Sequence, residues 1–452
     1  MGEHTMTTKP IQEWLDKNPS AKYVTLFIVD FNGVFRGKRV QRRYIEKAMK
    51  GSIKIPFAIL GVDIFGTDCV GSGQIFETGD KDGFAVPASG RVLPAEWQDR
   101  PTALIPATLF QSPQTPYPAD PRQILTSIVH KYHQRGWYPV CAVELEFSLY
   151  KLNEGTATPT PAITNLGQSN ALYSLNELES YSSLIDDIYT ACEACGIESD
   201  GAVKEAGAGQ FEINLVHASD PVRVADDAHY FKHLVREVAK KHDLGATFMA
   251  KPFGDDAGNG FHVHMSLADD NGRNVFDNGG EDGSALLGSA VAGLLTTMRE
   301  NTLIFAPHYN SYKRFQAETH APMQLTWGYD NRTTAIRIPA CDRKDLRVDL
   351  RGAGADANPY LVMSAVLSGA LAGIEQQAEP PQPIVGNAYA EQGETVATSW
   401  IEAIDLFSRN HAVKEVFGPL FHKMFLACKR QEFEKFANVI SQYEYSSYLE
   451  MV

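Results

Sequence analysis

Apolar and polar positions alternate with period two along Cys141-Ala-Val-Glu144-Leu-Glu146-Phe-Ser-Leu-Tyr150, which predicts a strand. Side chains two apart on a strand share a face, so Glu144 and Glu146 point together out of a segment that otherwise wants burial. The same alternation puts His262, His264 and Ser266 on one face after the glycine-rich Gly258-Asn-Gly. It recurs in Arg347, Asp349 and Arg351, and Glu212 follows a glycine-rich turn, Glu205-Ala-Gly-Ala-Gly-Gln210. Near the start, Tyr23 to Asp30 reads as a strand with a hairpin turn signal at Asn32-Gly33, and 83–87 as another extended stretch. The first ~115 residues therefore read as short strands broken by turns.

Helical periodicity follows. Asp120-Pro121 caps a helix through Ile124, Ile128 and Tyr132. Leu178 to Cys195 and Val222 to Lys241 are helical, and Asp356-Ala-Asn358-Pro359 opens a long apolar helix through Leu361, Met363, Val366, Leu371 and Ile374. Ser399 to Tyr448 is mostly helix. The proline-rich, aperiodic 112–121 marks a boundary, giving domains of 1–115 and 116–452. There is no internal repeat and no low-complexity segment.

At 452 residues the chain can bury a substantial core, and its composition is that of a globular protein. A formal net charge of −14 argues against a nucleic-acid footprint. No apolar run approaches the ~20 residues of a membrane helix. The N-terminus lacks the apolar stretch of a signal peptide. The only CxxC, Cys192-Glu-Ala-Cys195, sits in a helical pattern without partners at zinc-site spacing, so its thiols read as buried. A reducing cytoplasm is expected.

Two like charges on a half-buried face repel and lose solvation, and a hard cation relieves them. A solvent-facing strand edge is the other reading of Glu144 and Glu146. A lone H-x-H is weak evidence, but several polar strands aimed at one place are hard to explain as scaffold. Glu144, Glu146, Glu205, Glu212 and Asp349 are five negatives, which two divalent cations would reduce to one. Without metal, such a cluster must take up protons or come apart. With metal it suits phosphoryl transfer, served by Arg332, Arg337, Arg343, Lys344, Arg347 and Arg351. The alternative is an arginine–carboxylate salt-bridge network without catalysis. No phosphate-binding P-loop is present, so a nucleotide would be held by another architecture.

Taken in order, these patches resemble the glutamine synthetase family from about Tyr23 to the C-terminus. The resemblance rests on Glu144-Leu-Glu146, Glu205…Gly209-Gln210-Phe-Glu212, Lys251-Pro252…Gly258-Asn-Gly-Phe-His262-Val-His264-Met-Ser266, Asn310-Ser-Tyr-Lys-Arg314, Asn331-Arg332…Arg337-Ile-Pro and Asp349-Leu-Arg351…Asn358-Pro-Tyr. It implies an α+β fold: an N-terminal β-grasp domain and a C-terminal catalytic domain with a curved antiparallel sheet. It also implies subunits assembled in stacked rings, a dodecamer, with sites between neighbours.

By the same resemblance Glu146, Glu205 and Glu212 hold one Mg2+ (or Mn2+), and Glu144, His262 and Asp349 the other. His264 and Ser266 contact ATP. Arg332, Arg337, Lys344 and Arg347 face phosphate, Arg332 at the transferring group. Arg314 and Arg351 bind the glutamate carboxylate, and the Gly258 carbonyl its amino group. Asp63 is the aspartate that a neighbouring subunit brings near the incoming amine. ATP would phosphorylate the γ-carboxylate of glutamate, and a nitrogen nucleophile would then displace phosphate.

The chain departs from the ammonia-using members where they carry a glutamate just before Ala-Pro: here His320 precedes Ala321-Pro322, with Glu318 two residues earlier. A neutral imidazole does not select ammonium, so the expected product is a γ-glutamyl amide of a small amine, a polyamine or another primary amine. Glutamine synthetase proper and a non-catalytic binding or regulatory protein are the alternatives. Ala257 replaces an asparagine, Asp349 a glutamate ligand, and no adenylylated tyrosine is expected after Tyr389.

Overall fold

The structure is a computed structural model that describes residues 9–88, 90–152, 159–162, 172–316 and 321–452. Its N-terminal part builds β1 (Tyr23–Val29), β2 (Phe35–Gln41), β3 (Ile53–Pro56), β4 (Asp82–Pro87), β5 (Leu93–Pro94), β6 (Ala103–Ser112) and β7 (Thr115–Pro116) into one sheet. The path is β2-β1-β6-β4-β3, with β5 and β7 also on β6. β1 runs parallel to β6 and antiparallel to β2. The hairpin at Asn32-Gly33 forms as its turn residues predict, with Gly33 at φ 75° and Val29 opposite Phe35. Part of the proline-rich 112–121 is itself paired, since Thr115 lies opposite Ser112. Helices at Lys9–Lys17 and Ile45–Met49 interrupt the expected run of strands.

The second sheet comprises β8 (Tyr138–Lys151), β9 (Thr160–Pro161), β10 (Ser199–Lys204), β11 (Gln210–Ala218), β12 (Leu244–Thr247), β13 (Gly260–Ala268), β14 (Trp327–Tyr329), β15 (Ile336–Ile338) and β16 (Val348–Gly354). Its order is β10-β11-β8-β13-β16-β15-β14, with β9 and β12 on β8. All its pairs are antiparallel except β14–β15, so the sheet is mixed at one edge. The long apolar helix Pro359–Gln376 is buried along most of its length, as its all-round apolar surface requires.

Helix starts follow their caps. Asp120, Asp220 and Asn358 each accept hydrogen bonds from the first-turn N–H groups, with proline next in sequence. The helix expected over 178–195 is two, Leu175–Ser180 and Ser182–Ala194, broken at Tyr181. One continuous apolar core joins both sheets, from Leu26 and Phe31 to Leu145 and Phe261. Polar ties reinforce it: Asn358 Nδ2 donates to Asp30 O at 2.9 Å, and the buried Lys429–Glu432 pair receives Asn32 and the Ile64 N–H. Among the described residues no helix is long and apolar enough to cross a membrane.

Candidate metal and phosphoryl-transfer site

Strand register brings the predicted side chains together. Glu144 lies opposite His262, Glu146 opposite Glu212, and His264 opposite Asp349. Ligand atoms of Glu144, Glu212 and His262 all fall within 4.8 Å of one another. His262 Nδ1 is 2.8 Å from Glu144 Oε2, which leaves Nε2, 4.0 Å from Glu146 Oε1, as the free lone pair. Arg347 Nε donates to His264 Nδ1 at 3.2 Å, which puts the proton of a neutral His264 on Nε2; that atom is 2.9 Å from Glu144 Oε1 but has no well-aligned hydrogen-bond partner. These tautomers follow from the hydrogen-bond partners.

The alternative of an arginine network holds for one residue only. Asp349 Oδ2 is 3.2 Å from Arg351 and 3.8 Å from Arg337. Among the described residues no lysine or arginine forms an ion pair with Glu144, Glu146, Glu205 or Glu212. The carboxylates respond as crowded, half-dry negative charges do. Burial, then Glu144, Glu146 and Glu205, push the Glu212 carboxyl up to about 9. Burial and Glu146 push Glu205 up to about 7. Burial alone would raise Glu144 too, but the hydrogen bond from His262 and the close approach of His264 outweigh it and hold Glu144 below the usual carboxylate range.

The donor set fits a hard divalent cation. It offers carboxylate oxygens with one imidazole, and Asp349 Oδ1 is buried without a hydrogen-bond partner. The residues that the resemblance divides between two cations are contiguous here, with Glu212 and Glu144 in one cluster.

Around this face stand the predicted basic groups. Arg351 and Arg314 are buried, and Arg314 donates to Gly352 O at 3.4 Å. Arg337 is half-buried beside Asp349. Arg332 is exposed on the wall of a cavity of ≈540 Å³ shared with Tyr329, Asn331 and Ile384. Lys344 is exposed on the turn Arg343–Asp345. Ser266 is half-buried on β13 opposite Val140, and Gly258 O accepts from Gln210. Asp63 stands apart, fully buried. It accepts the N–H groups of Phe65 and Thr67 and Gln431 Nε2, and pairs with Lys435. His320 and Glu318 lie outside the described residues.

Three residues without an assigned role prove central. Gln210 Nε2 donates to Glu146 Oε2 at 3.0 Å, Asp256 Oδ2 accepts the Ala208 N–H at 2.6 Å, and the fully buried Asn259 accepts from Ser148 Oγ at 3.0 Å. The available signal was Ser148, which continues the face of Glu144 and Glu146.

This sheet presents a carboxylate–imidazole face with flanking arginines, a site suited to divalent cations and phosphate. Residues 118–448 match the glutamine synthetase catalytic domain, and the chain belongs to that family. It is 35% identical to the gamma-glutamylputrescine synthetase of Escherichia coli over 97% of this chain and 93% of that one. It is 31% identical to the glutamate–isopropylamine ligase of a Pseudomonas species over 98% of both. A solved structure described as a GmaS/ADP complex superposes with a TM-score of 0.84 at 26% identity, over 97% of this chain and 98% of that one.

Proposed function

We propose that the chain is an ATP-dependent ligase that joins the γ-carboxylate of glutamate to a primary amine other than ammonia, by way of a γ-glutamyl phosphate. The observation that carries this reading is the cluster of Glu144, Glu146, Glu205 and Glu212, which among the described residues has no lysine or arginine ion pair, beside His262 and Asp349. Full-length relatives named for amine substrates, and His320 in place of a glutamate, favour an amine over ammonia.

Divalent cations, Mg2+ or Mn2+, when bound there would supply positive charge to offset that of nucleotide phosphates and a carboxylate. Glu146, Glu205 and Glu212 would hold one, and Glu144, His262 and Asp349 the other. Arg314, Arg351 and the Gly258 carbonyl position glutamate. His264 and Ser266 contact the nucleotide. Arg337, Lys344 and Arg347 contact its phosphates, and Arg332 meets the transferring group. The γ-carboxylate oxygen bonds to the terminal phosphorus of ATP as ADP leaves; the amine nitrogen then bonds to the acyl carbon, phosphate departs and the amine gives up a proton. His320 shapes the amine pocket.

The N-terminal sheet, with β1 and β6 parallel at its centre, supports a β-grasp domain over 1–115, with the catalytic domain over 116–452. Assembly into stacked rings, a dodecamer, fits the exposed Phe65, Phe76, Leu449 and Met451. Asp63, expected at a neighbouring copy's amine pocket, is fully buried with Oδ1 taken by the Phe65 and Thr67 N–H groups and Oδ2 by Gln431 and Lys435, so it would meet an amine only once that pairing opens. Function in the cytoplasm fits this chemistry.

Phosphate release with Mg-ATP and glutamate tests the reading. Putrescine, ethanolamine or an alkylamine should drive turnover well above ammonium. Turnover with ammonium alone would show a glutamine synthetase, and silence with every amine a non-catalytic protein. His320→Glu should shift preference toward ammonium by roughly tenfold, the scale of one lost or gained charge contact.

A further inference from the structure

Two glycine-rich loops flank the carboxylates. One, residues 205–209, carries Glu205; the other, residues 254–258, carries Gly258. Two side chains staple them together. Asp256 Oδ2 accepts the Ala208 N–H at 2.6 Å across the gap, and its Oδ1 accepts the Ala257 N–H at 2.8 Å in its own loop. Lys251 Nζ donates to the Asp256 carbonyl and fixes the base of that loop.

Gln210 completes the link. Its Oε1 accepts the Gly207 N–H at 2.8 Å, while Nε2 reaches both Glu146 Oε2 and Gly258 O at 3.0 Å. The glycines leave no room for larger residues between the loops. A Cβ on Gly207 would lie 2.7 Å from Gln210 Oε1 and 3.4 Å from the Ala257 Cβ, and one on Gly258 would lie 2.4 Å from Ala250 O. Neither loop can shift alone without breaking a charge-assisted hydrogen bond or a close contact.

We infer that Asp256 is a positioning residue that couples the glutamate-binding loop to the cation-binding loop, so that each ligand tightens the other. This rests on the reading above, in which Gly258 serves glutamate and Glu205 a cation. Glutamate seated against Gly258 fixes loop 254–258; Asp256 passes that order to Ala208, and the Glu205 carboxylate is presented in one place. Coupling of this kind is reciprocal and typically ~5–150-fold.

The test uses the full-length protein and Mn2+ binding, read by calorimetry or electron paramagnetic resonance, with and without saturating glutamate and with no amine present. Wild type should bind Mn2+ roughly five- to tenfold tighter with glutamate, a factor at the low end of that range. Asp256→Ala should lose most of the glutamate effect, whatever its Mn2+ affinity alone. Asp256→Asn, which keeps an acceptor but not the charge, should fall between them. Wild-type coupling in either variant would overturn the inference. So would an Asp256→Ala affinity that drops equally with and without glutamate, because that is structural damage without coupling. Binding is read without turnover, so a chain that fails the amine panel sinks the ligase reading while the coupling measurement still decides this one.

Discussion

Glu205 and Glu212 report what the carboxylate cluster lacks. Both hold their protons more tightly folded than at the ordinary 4.5, Glu205 up to about 7 and Glu212 up to about 9. The metal-free fold therefore binds more protons than the unfolded chain between pH 4.5 and 9, and its stability falls as pH rises through that window. Glu144 acts oppositely: its depressed carboxyl contributes stability that is lost as pH falls below its unfolded value of 4.5. Thermal unfolding of chelator-treated protein should show the decline toward high pH, and saturating Mg2+ should flatten it. Cation binding near neutral pH should also release protons, read as heats that depend on the buffer. An unchanged melting profile with Mg2+ would count against the site. Glu212→Gln replaces, at constant volume, a carboxyl that must take up a proton in the metal-free fold below about pH 9 with an amide that needs none. It should raise the melting temperature of the metal-free protein and lower kcat/KM by ~10²-fold or more. At this scale the ligand face was legible because a period of two fixes which side chains share a side. Gln210, Asn259 and Asp256 escaped because their partners lie on strands and loops far along the chain, a pairing that no local period encodes.

Elements were legible where one signal dominated. The strand at 141–150, the caps at Asp120 and Asn358 and the turn at Asn32-Gly33 all form as their residues dictate. The helix Lys9–Lys17 carries only a short signal, Ile11 and Leu15 four apart and both buried. The break at Tyr181 was not legible, because the apolar spacing continues across it while the backbone leaves the helical region. The parallel β14–β15 pair belongs to strands of three residues, too short to show a period. Asn358 acts at this scale. It caps its helix through Tyr360 and Leu361 and also donates to Asp30 O and Phe31 O. Asn358→Ala should cost ~2–3 kcal/mol, the sum of a lost cap and the tie to the first hairpin, measured by urea unfolding. A cost below ~0.5 kcal/mol would mean that the hairpin is held by packing alone.

At the scale of the molecule, the two sheets share one core, so loosening either part is felt by the other. The sequence marked two units by the proline-rich segment, yet it could not show that Asn32, Lys429 and Glu432, far apart in the chain, form one buried polar knot between them. Long-range pairings of this kind depend on packing that no window of sequence contains. The ring assembly proposed above would have to form on a chain of net charge −14, through exposed apolar side chains such as Phe76 and Leu449. Sedimentation should find a particle many times heavier than 49.8 kDa, and a purely monomeric species would refute the ring assembly.

The strand β8 is bracketed by β11 on one side and β13 on the other, with Val143, Leu145 and Phe147 wholly shielded from solvent. Its central amides can exchange with deuterium only when the whole sheet opens, so they should be the slowest in the chain. The three-residue β14 and the arginine-bearing β15 lie at the sheet's margin and should fray first. In mild denaturant, then, catalysis should disappear while manganese is still held, leaving an inert but metal-loaded intermediate.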